Sequence, residues 1–186
     1  FLNSPSNPTG QVYSEDELKN LAEIIKKHKN LYVLSDDIYE YIRYQNDERF
    51  YTIAELDEEI FSRTITMNGV SKAYSMTGWR IGYCGGPIEI INSMRKLMGQ
   101  STSNPSSISQ WATVEALNGS KKFLDEWINS FKERRDFIVN YLNNCKGIEC
   151  LNPEGAFYVY PSCAGLIGKE YQGKIIENDK DFAMIL

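Results

Sequence analysis

The chain has 186 residues, of which 42% are hydrophobic and 24% are charged, values typical of a globular protein with a buried core. Its formal net charge of −5 argues against a nucleic-acid partner, because binding to phosphate backbones needs clustered positive charge. No apolar run approaches the roughly 18 residues that span a membrane, and four cysteines without Cys-x-x-Cys spacing predict reduced thiols in the cytoplasm and no metal site.

The chain opens with a tight loop at residues 3–10, which contain two prolines and a glycine. A helix is predicted next, because Ser14 and Glu17 have the spacing of a capping box and an apolar stripe at helical spacing follows. An Asn-Pro-Thr-Gly string such as residues 7–10 is also ordinary turn chemistry, so this loop alone does not specify a function.

Residues 31–34 form a short apolar run of the type found in strands covered on both faces, and Asp36 and Asp37 follow it. Ligands of open parallel sheets bind at the carboxyl ends of the strands, where these carboxylates would lie. From the pair alone, capping of the next helix is the favoured interpretation. Residues 46–49 are predicted to form an exposed loop.

Residues 64–67 predict a second buried strand, and Lys72 follows it closely, with Arg80 eight positions further on. Desolvation of a lysine at a strand end leaves more of its amine uncharged and available for Schiff-base chemistry. An arginine nearby suits a phosphate, because its planar fork can make two parallel charged hydrogen bonds. An isolated lysine and arginine can also be solvated surface charges, so the surrounding sequence decides between the two interpretations.

The rest of the chain predicts a strand at residues 80–84, helices at residues 87–98, 106–117 and 121–143, and a strand at residues 155–161. Aromatic and aliphatic side chains on one broad face of the longest helix, Phe137 and Tyr141 among them, are expected to pack in the core. Residues 181–186 predict a helix without a terminal breaker, and the chain has no starting Met, so we expect an excerpt of a longer protein.

Residues 71–83, Ser-Lys-Ala-Tyr-Ser-Met-Thr-Gly-Trp-Arg-Ile-Gly-Tyr, resemble the cofactor-lysine segment of the fold-type I, class I pyridoxal-phosphate aminotransferases, and most resemble the bacterial aspartate aminotransferases. The resemblance covers essentially the whole chain. It implies an α/β fold: part of the large three-layer α/β/α cofactor-binding domain, with a mostly parallel sheet and an antiparallel strand at residues 80–84, followed by the start of a small α+β domain. The implied boundaries are residues 1–119 and residues 120–186.

The resemblance also implies which residues hold pyridoxal 5'-phosphate. Lys72 would be the catalytic lysine that binds the cofactor covalently, Asp36 would pair with the ring nitrogen, and Asn7 and Tyr39 would contact its phenolic oxygen. Arg80 would bind the phosphate. Ser71 would either contact the phosphate or only satisfy the turn, and Phe157 resembles an aromatic residue near the substrate.

Two departures from the family pattern affect these expectations. Some relatives have a phosphate-binding serine three residues before the lysine, where this chain has Gly69, so Arg80 would carry more of the phosphate binding. The chain also lacks the family's upstream glycine-threonine phosphate cup, its ring-stacking aromatic residue and its downstream arginine for the substrate carboxylate. By itself, the 186-residue chain is therefore expected to be inactive.

The implied function is transfer of an amino group, in amino-acid metabolism, between an amino acid such as aspartate or glutamate and a 2-oxo acid such as 2-oxoglutarate. The implied full-length enzyme is a homodimer. A carbon-sulfur lyase or a cyclopropane-carboxylate synthase of the same fold shares the cofactor residues, although Met76-Thr77-Gly78-Trp79 favours an aminotransferase. A non-catalytic cofactor-binding domain of a transcription regulator is the other open alternative.

Overall fold

The computed structural model describes residues 1–45 and 49–186, so most of the loop predicted at residues 46–49 lies outside the described residues. The strands are β1 Leu2–Asn3, β2 Val33–Asp36, β3 Thr64–Gly69, β4 Gly82–Gly85, β5 Glu170–Tyr171 and β6 Lys174–Ile175. The helices are α1 Glu15–Lys26, α2 Glu58–Phe61, α3 Ile88–Gln100, α4 Ser107–Asn118, α5 Phe123–Asn143 and α6 Asp179–Ile185. None of the described helices is long and apolar enough to cross a membrane.

The main sheet has the order β1-β2-β3-β4, and β5 and β6 form a separate two-stranded sheet. The first three strands are parallel, whereas β4 is antiparallel to β3, so the expected α/β fold with a mostly parallel sheet is confirmed. Asn3 pairs in register with Asp36, and Asp36 pairs with Met67. The carboxyl ends of three strands therefore meet at one edge, from which three loops emerge.

Helix α1 begins where the sequence predicts, because Ser14 and Glu17 form the reciprocal capping box. Its buried side chains pack with α2 and the neighbouring strands. The buried members of this core are Leu2, Leu18, Ala22, Ile25, Val33, Ile53 and Ile60. This core packs against one face of the main sheet and does not include the loops at the carboxyl ends of β1, β2 and β3, where the candidate site lies.

Strand β2 differs from its prediction in position and burial. It begins at Val33, two residues later than expected, and Leu31 and Tyr32 before it are 42% and 54% exposed. Val33 and Ser35 point into the protein, whereas Leu34 between them is 39% exposed. Successive side chains of a strand point to opposite faces, and the core described above covers only one of them here.

The prediction that the aromatic face of α5 packs in the core is wrong for part of the helix. Phe137 and Tyr141 stack on one another but are 72% and 61% exposed, while Leu124 and Val139 are the buried residues of α5. The strand predicted at residues 155–161 is also absent from the described structure; its main chain bonds to loops rather than to a neighbouring strand.

Asp37 is a buried structural residue at the end of β2. Its main-chain N–H donates to the Met67 carbonyl oxygen at 2.9 Å, and its carboxylate accepts a 2.7 Å hydrogen bond from the Ser35 hydroxyl. Burial raises the pKa of this carboxyl above its ordinary value, and the Ser35 hydrogen bond opposes that change only in part.

Replacing Ile60, which is fully buried, with Ala should lower the free energy of unfolding by about 2–5 kcal/mol, because the substitution removes buried methyl groups and leaves a cavity. The matched control is Ile24→Ala on α1, where the side chain is 54% exposed and the expected loss is below about 1 kcal/mol. Urea unfolding of both variants measures the difference. Equal losses would contradict the assignment of Ile60 to the core.

The raised pKa of Asp37 predicts a pH dependence of stability. As the pH rises above about 4, the unfolded chain releases this proton before the folded protein does, so the free energy of unfolding falls until the folded carboxyl has also ionised. Asp37→Asn should remove this component, whereas Asp125→Asn, at an exposed position of α5, should retain it. Urea unfolding of the three proteins across this pH range measures it, and an unchanged profile in Asp37→Asn would refute the assignment.

Candidate active site

The loops that follow β1 and β2 are joined by one asparagine side chain. The Asn3 Nδ2 donates to the Asp36 carbonyl oxygen at 2.9 Å, and the Asn3 Oδ1 accepts from the Asn7 N–H at 2.7 Å. The Asp36 carboxylate accepts the Ile38 N–H at 3.3 Å, which is a local turn contact. Asn7 and Asp36, two of the predicted site residues, are therefore held at the same sheet edge by Asn3, which the sequence analysis did not single out.

Tyr39 comes three residues after the end of β2 and is only 3% exposed. Its hydroxyl is 2.5 Å from the Tyr158 hydroxyl, which also accepts a long, 3.5 Å hydrogen bond from the Asn7 Nδ2. Burial raises the pKa of the Tyr39 phenol above its ordinary value. Tyr39 therefore keeps its proton at neutral pH and is available as a hydrogen-bond donor.

Lys72 lies three residues beyond the end of β3 and faces two aromatic rings. Its Nζ is 5.9 Å from the centroid of the Tyr39 ring and 5.6 Å from that of Phe157. Both distances are within the range of cation–π attraction, which would hold the Lys72 side chain towards these two rings. Tyr39 and Phe157 contact each other edge to face at 5.5 Å.

A cavity of about 250 Å³ opens beside Lys72. The residues that line it are Ser71, Lys72, Ser75, Thr77, Phe131 and Phe157. Hydroxyl groups and an amine come from the loop after β3, whereas aromatic rings come from α5 and from the segment after it. A larger cavity of about 690 Å³ shares Phe131 and Phe157, but no lysine lines it. The smaller cavity is therefore the one with an amine that can react with an aldehyde.

Arg80 follows a short 3-10 turn and has a left-handed backbone conformation, with φ of +56°. Its exposed side chain donates from Nη1 to the Thr77 carbonyl oxygen at 2.9 Å, which uses one of the five N–H donors of a guanidinium. Thr77 lines the Lys72 cavity. Arg80 is therefore tethered to a residue of the cavity wall, although no described contact joins it to Lys72 itself.

The structure gives a steric reason for Gly69. A Cβ atom at this position would lie 2.9 Å from the Ile81 carbonyl oxygen, because β3 and β4 approach closely where Gly69 pairs with Gly82. A serine at position 69 would not fit this backbone.

Residues 154–158 bring the aromatic side chains of Phe157 and Tyr158 to the site from a distant part of the chain. The N–H groups of Glu154 and Gly155 donate to the Gly10 carbonyl oxygen at 2.9 and 2.8 Å, and the Ala156 N–H donates to the Ile42 carbonyl oxygen at 2.8 Å. These bonds tie the segment to the loops that carry Asn7 and Tyr39.

Contacts thus join Tyr39, Lys72 and Phe157, and Asn7 reaches Tyr39 through Tyr158. Ser71 lines the cavity with Lys72 and Phe157, and Arg80 is bonded to Thr77 of the same lining. Asp36 is joined to the Asn7 loop through Asn3, and no described contact joins it to the cavity. Tyr158 was missed by the sequence analysis. The only sequence signal was alternation in residues 155–160, which separates Tyr158 from Phe157 by face but does not say which face meets the site.

The donor set suits a phosphorylated aromatic aldehyde. An amine at Lys72 can react with an aldehyde, a carboxylate at Asp36 can pair with a protonated ring nitrogen, and a neutral phenol at Tyr39 can donate to a ring oxygen. Hydroxyls around the cavity and the cation at Arg80 suit a phosphate. Pyridoxal phosphate carries all of these groups, so the residues present fit it.

Comparison with known proteins gives consistent relatives. The family model for class I and II aminotransferases matches residues 1–184. A probable aspartate/prephenate aminotransferase of Rhizobium leguminosarum bv. phaseoli is 56% identical over 183 residues, which are 98% of this chain and 46% of that protein. The crystal structure of an aspartate aminotransferase from Rhizobium meliloti matches with a TM-score of 0.95 and 52% identity over 98% of this chain and 46% of its own.

A Thermus thermophilus aspartate aminotransferase solved with maleate has a TM-score of 0.78 and 40% identity over 85% of this chain and 40% of its own. The chain spans a little under half the length of the curated relatives described above. Because the family model covers almost every residue and the fold agrees with that of solved members, this chain belongs to the class I and II aminotransferase family.

Proposed function

We propose that the chain is the lysine-bearing part of a longer, pyridoxal-phosphate-dependent aminotransferase. Residues 1–119 would be the second half of the large cofactor domain, and residues 120–186 would be the long connecting helix and the beginning of the small domain. The share of the relatives that the chain covers, 46%, supports its being part of a longer protein, and α5, which spans 21 residues and leads to residues 154–158, supports the division.

The proposed reaction transfers an amino group between an amino acid, aspartate or glutamate, and a 2-oxo acid such as 2-oxoglutarate. The observation that carries the proposal is the position of Lys72, whose Nζ faces Tyr39 and Phe157 in a member of this family. Several relatives are named aspartate/prephenate aminotransferases, so prephenate, which is itself a 2-oxo acid, is a further acceptor to test.

When bound, pyridoxal phosphate supplies an electron sink for the electron pair released at the α-carbon of the amino acid. Asp36 would accept a hydrogen bond from the protonated ring nitrogen. A pair of opposite charges 4 Å apart is worth about 4 kcal/mol at an effective dielectric constant of 20. Asn7 and Tyr39 would donate to the phenolic oxygen, and Arg80, with Ser71, would hold the phosphate.

Lys72 has two proposed tasks. Its amine would hold the cofactor through a covalent bond to the aldehyde carbon until the substrate's amino group takes its place. The released Nζ would then act as the general base that takes the proton from the α-carbon of the amino acid. Phe157 would pack beside the substrate and keep water from this proton transfer.

The remaining expectations concern the full-length protein. We propose that it is a cytoplasmic homodimer that acts on small amino acids and 2-oxo acids, as the family resemblance implies. The 186-residue chain alone should not transaminate, because the family's other phosphate-binding and carboxylate-binding groups have no counterpart in its sequence.

Lys72→Ala in the full-length protein should abolish the visible absorption band of bound pyridoxal phosphate and slow the half-reaction with aspartate by at least about 100-fold, since it removes both the covalent anchor and the general base. Lys29→Ala, at an exposed position after α1, is the matched control and should leave both unchanged. Absorbance spectra before and after addition of aspartate or glutamate measure the effect.

The same spectra separate the other candidate functions. A Lys72-dependent band that no amino acid alters would favour the non-catalytic binding domain, and a band that reacts without formation of a 2-oxo acid from aspartate would favour a lyase or synthase. The absence of a band from the unmodified protein would refute the cofactor assignment.

Asp36→Asn should leave the cofactor covalently bound but slow removal of the α-proton by at least about 100-fold, because the ring nitrogen loses the charge that keeps it protonated. Exchange of the α-hydrogen of aspartate for deuterium, followed by NMR, measures this step directly. Asp16→Asn on α1 is the control at an exposed carboxylate. A normal exchange rate in Asp36→Asn would show that Asp36 does not act on the ring.

A further inference from the structure

The Tyr158 hydroxyl contacts the same two side chains that are proposed to hold the phenolic oxygen of the cofactor. It lies 2.5 Å from the Tyr39 hydroxyl and 3.5 Å from the Asn7 Nδ2. The rings of Tyr39 and Tyr158 also pack edge to face, with centroids 5.7 Å apart. No role has been assigned to Tyr158 in the reaction described above.

The main chain just before Tyr158 is held by hydrogen bonds to the segment that follows Tyr39. Ala156, two residues earlier, is fully buried and has a left-handed backbone conformation, with φ of +56°, which is unfavourable for a residue with a Cβ atom. Its N–H donates to the Ile42 carbonyl oxygen, and its carbonyl oxygen accepts a hydrogen bond from the Tyr44 hydroxyl. The main chain that leads to Tyr158 is thus held by bonds that do not involve Tyr39.

Counting protons shows what the hydrogen bond allows once a cofactor is bound. The Tyr158 oxygen accepts from the Asn7 amide and has a second lone pair, so either hydroxyl can donate in the Tyr39–Tyr158 hydrogen bond. If Tyr158 donates to Tyr39, the single proton of Tyr39 is left for another acceptor. If Tyr39 donated to Tyr158 instead, it could not also donate to the cofactor.

We infer that Tyr158 is a positioning residue, which donates its hydroxyl proton to the Tyr39 oxygen and so directs the Tyr39 proton towards the phenolic oxygen of pyridoxal phosphate. The inference rests on the proposed function, since it concerns the same cofactor. Tyr158 acts through Tyr39 and does not touch the reacting atoms.

Equilibrium binding of pyridoxal phosphate to the full-length apoprotein tests this inference. Tyr158→Phe keeps the ring and its packing, so the loss of one hydrogen bond should weaken cofactor binding by about threefold to tenfold. Tyr160→Phe, whose side chain is 64% exposed in the same segment, is the matched control and should bind normally. Thermal unfolding of both apoproteins shows whether the fold is retained.

A double-mutant cycle distinguishes positioning from a separate contact. In a Tyr39→Phe background, Tyr158→Phe should change cofactor affinity by less than about twofold, because the group through which it acts is gone. Equal effects of Tyr158→Phe in both backgrounds would overturn the inference, as would a single variant that binds like Tyr160→Phe. If Tyr158→Phe does not fold, the Tyr39→Phe and Asn7→Ala variants are compared: coupled losses in that pair support the network, and additive losses overturn it.

The absorption spectrum of the bound cofactor provides a second signature. A phenolic oxygen that receives a weaker hydrogen bond from Tyr39 is a stronger base, so Tyr158→Phe should retain more of the protonated, visible-absorbing form at a fixed pH than Tyr160→Phe does. An unchanged spectrum with a normal Lys72-dependent band would refute the role of Tyr158 and leave the proposed function intact. A missing Lys72-dependent band in the unmodified protein would instead refute the proposed function.

Discussion

The site depends on main-chain hydrogen bonds between residues 154–156 and two loops that lie more than a hundred residues earlier in the chain. Gly10 accepts from Glu154 and Gly155, while Ile42 accepts from Ala156. Each of these groups would be costly to bury without a partner, so the three segments must come together or remain exposed to water. Once they are joined, Phe157 lies beside the Lys72 amine, and Tyr158 reaches Tyr39.

The parallel sheet makes this meeting possible. Because β1, β2 and β3 run in the same direction, the loops that carry Asn7, Tyr39 and Lys72 leave the same edge. The reversed strand β4 then returns the chain from Lys72, and its close approach to β3 at Gly69 excludes a side chain there. The packing of this strand pair thus leaves no room at position 69 for the serine that some relatives have there. Phosphate binding would therefore depend more on Arg80.

Much of this could be predicted from local sequence. The capping box of Ser14 and Glu17 predicted where α1 begins, and short apolar runs predicted β2 and β3 to within a few residues. Predictions failed where burial depends on what covers a surface: Leu34, Phe137 and Tyr141 have core-like side chains, but they are exposed in the described structure. Periodicity tells which residues share a face and does not tell what lies opposite that face.

By itself, the sequence determined most helices, the approximate positions of β2, β3 and β4 and the residue types of the candidate site, because caps and apolar periodicity are local signals and the segment around Lys72 carries the family resemblance from which the parallel sheet was expected. Only the tertiary structure decided that residues 155–161 form no strand, that Asn3 joins two loops and that Tyr158 reaches Tyr39 and Asn7. These features are contacts between residues as many as 151 positions apart. Their formation depends on chain closure and on the satisfaction of buried polar groups, which no short sequence window records.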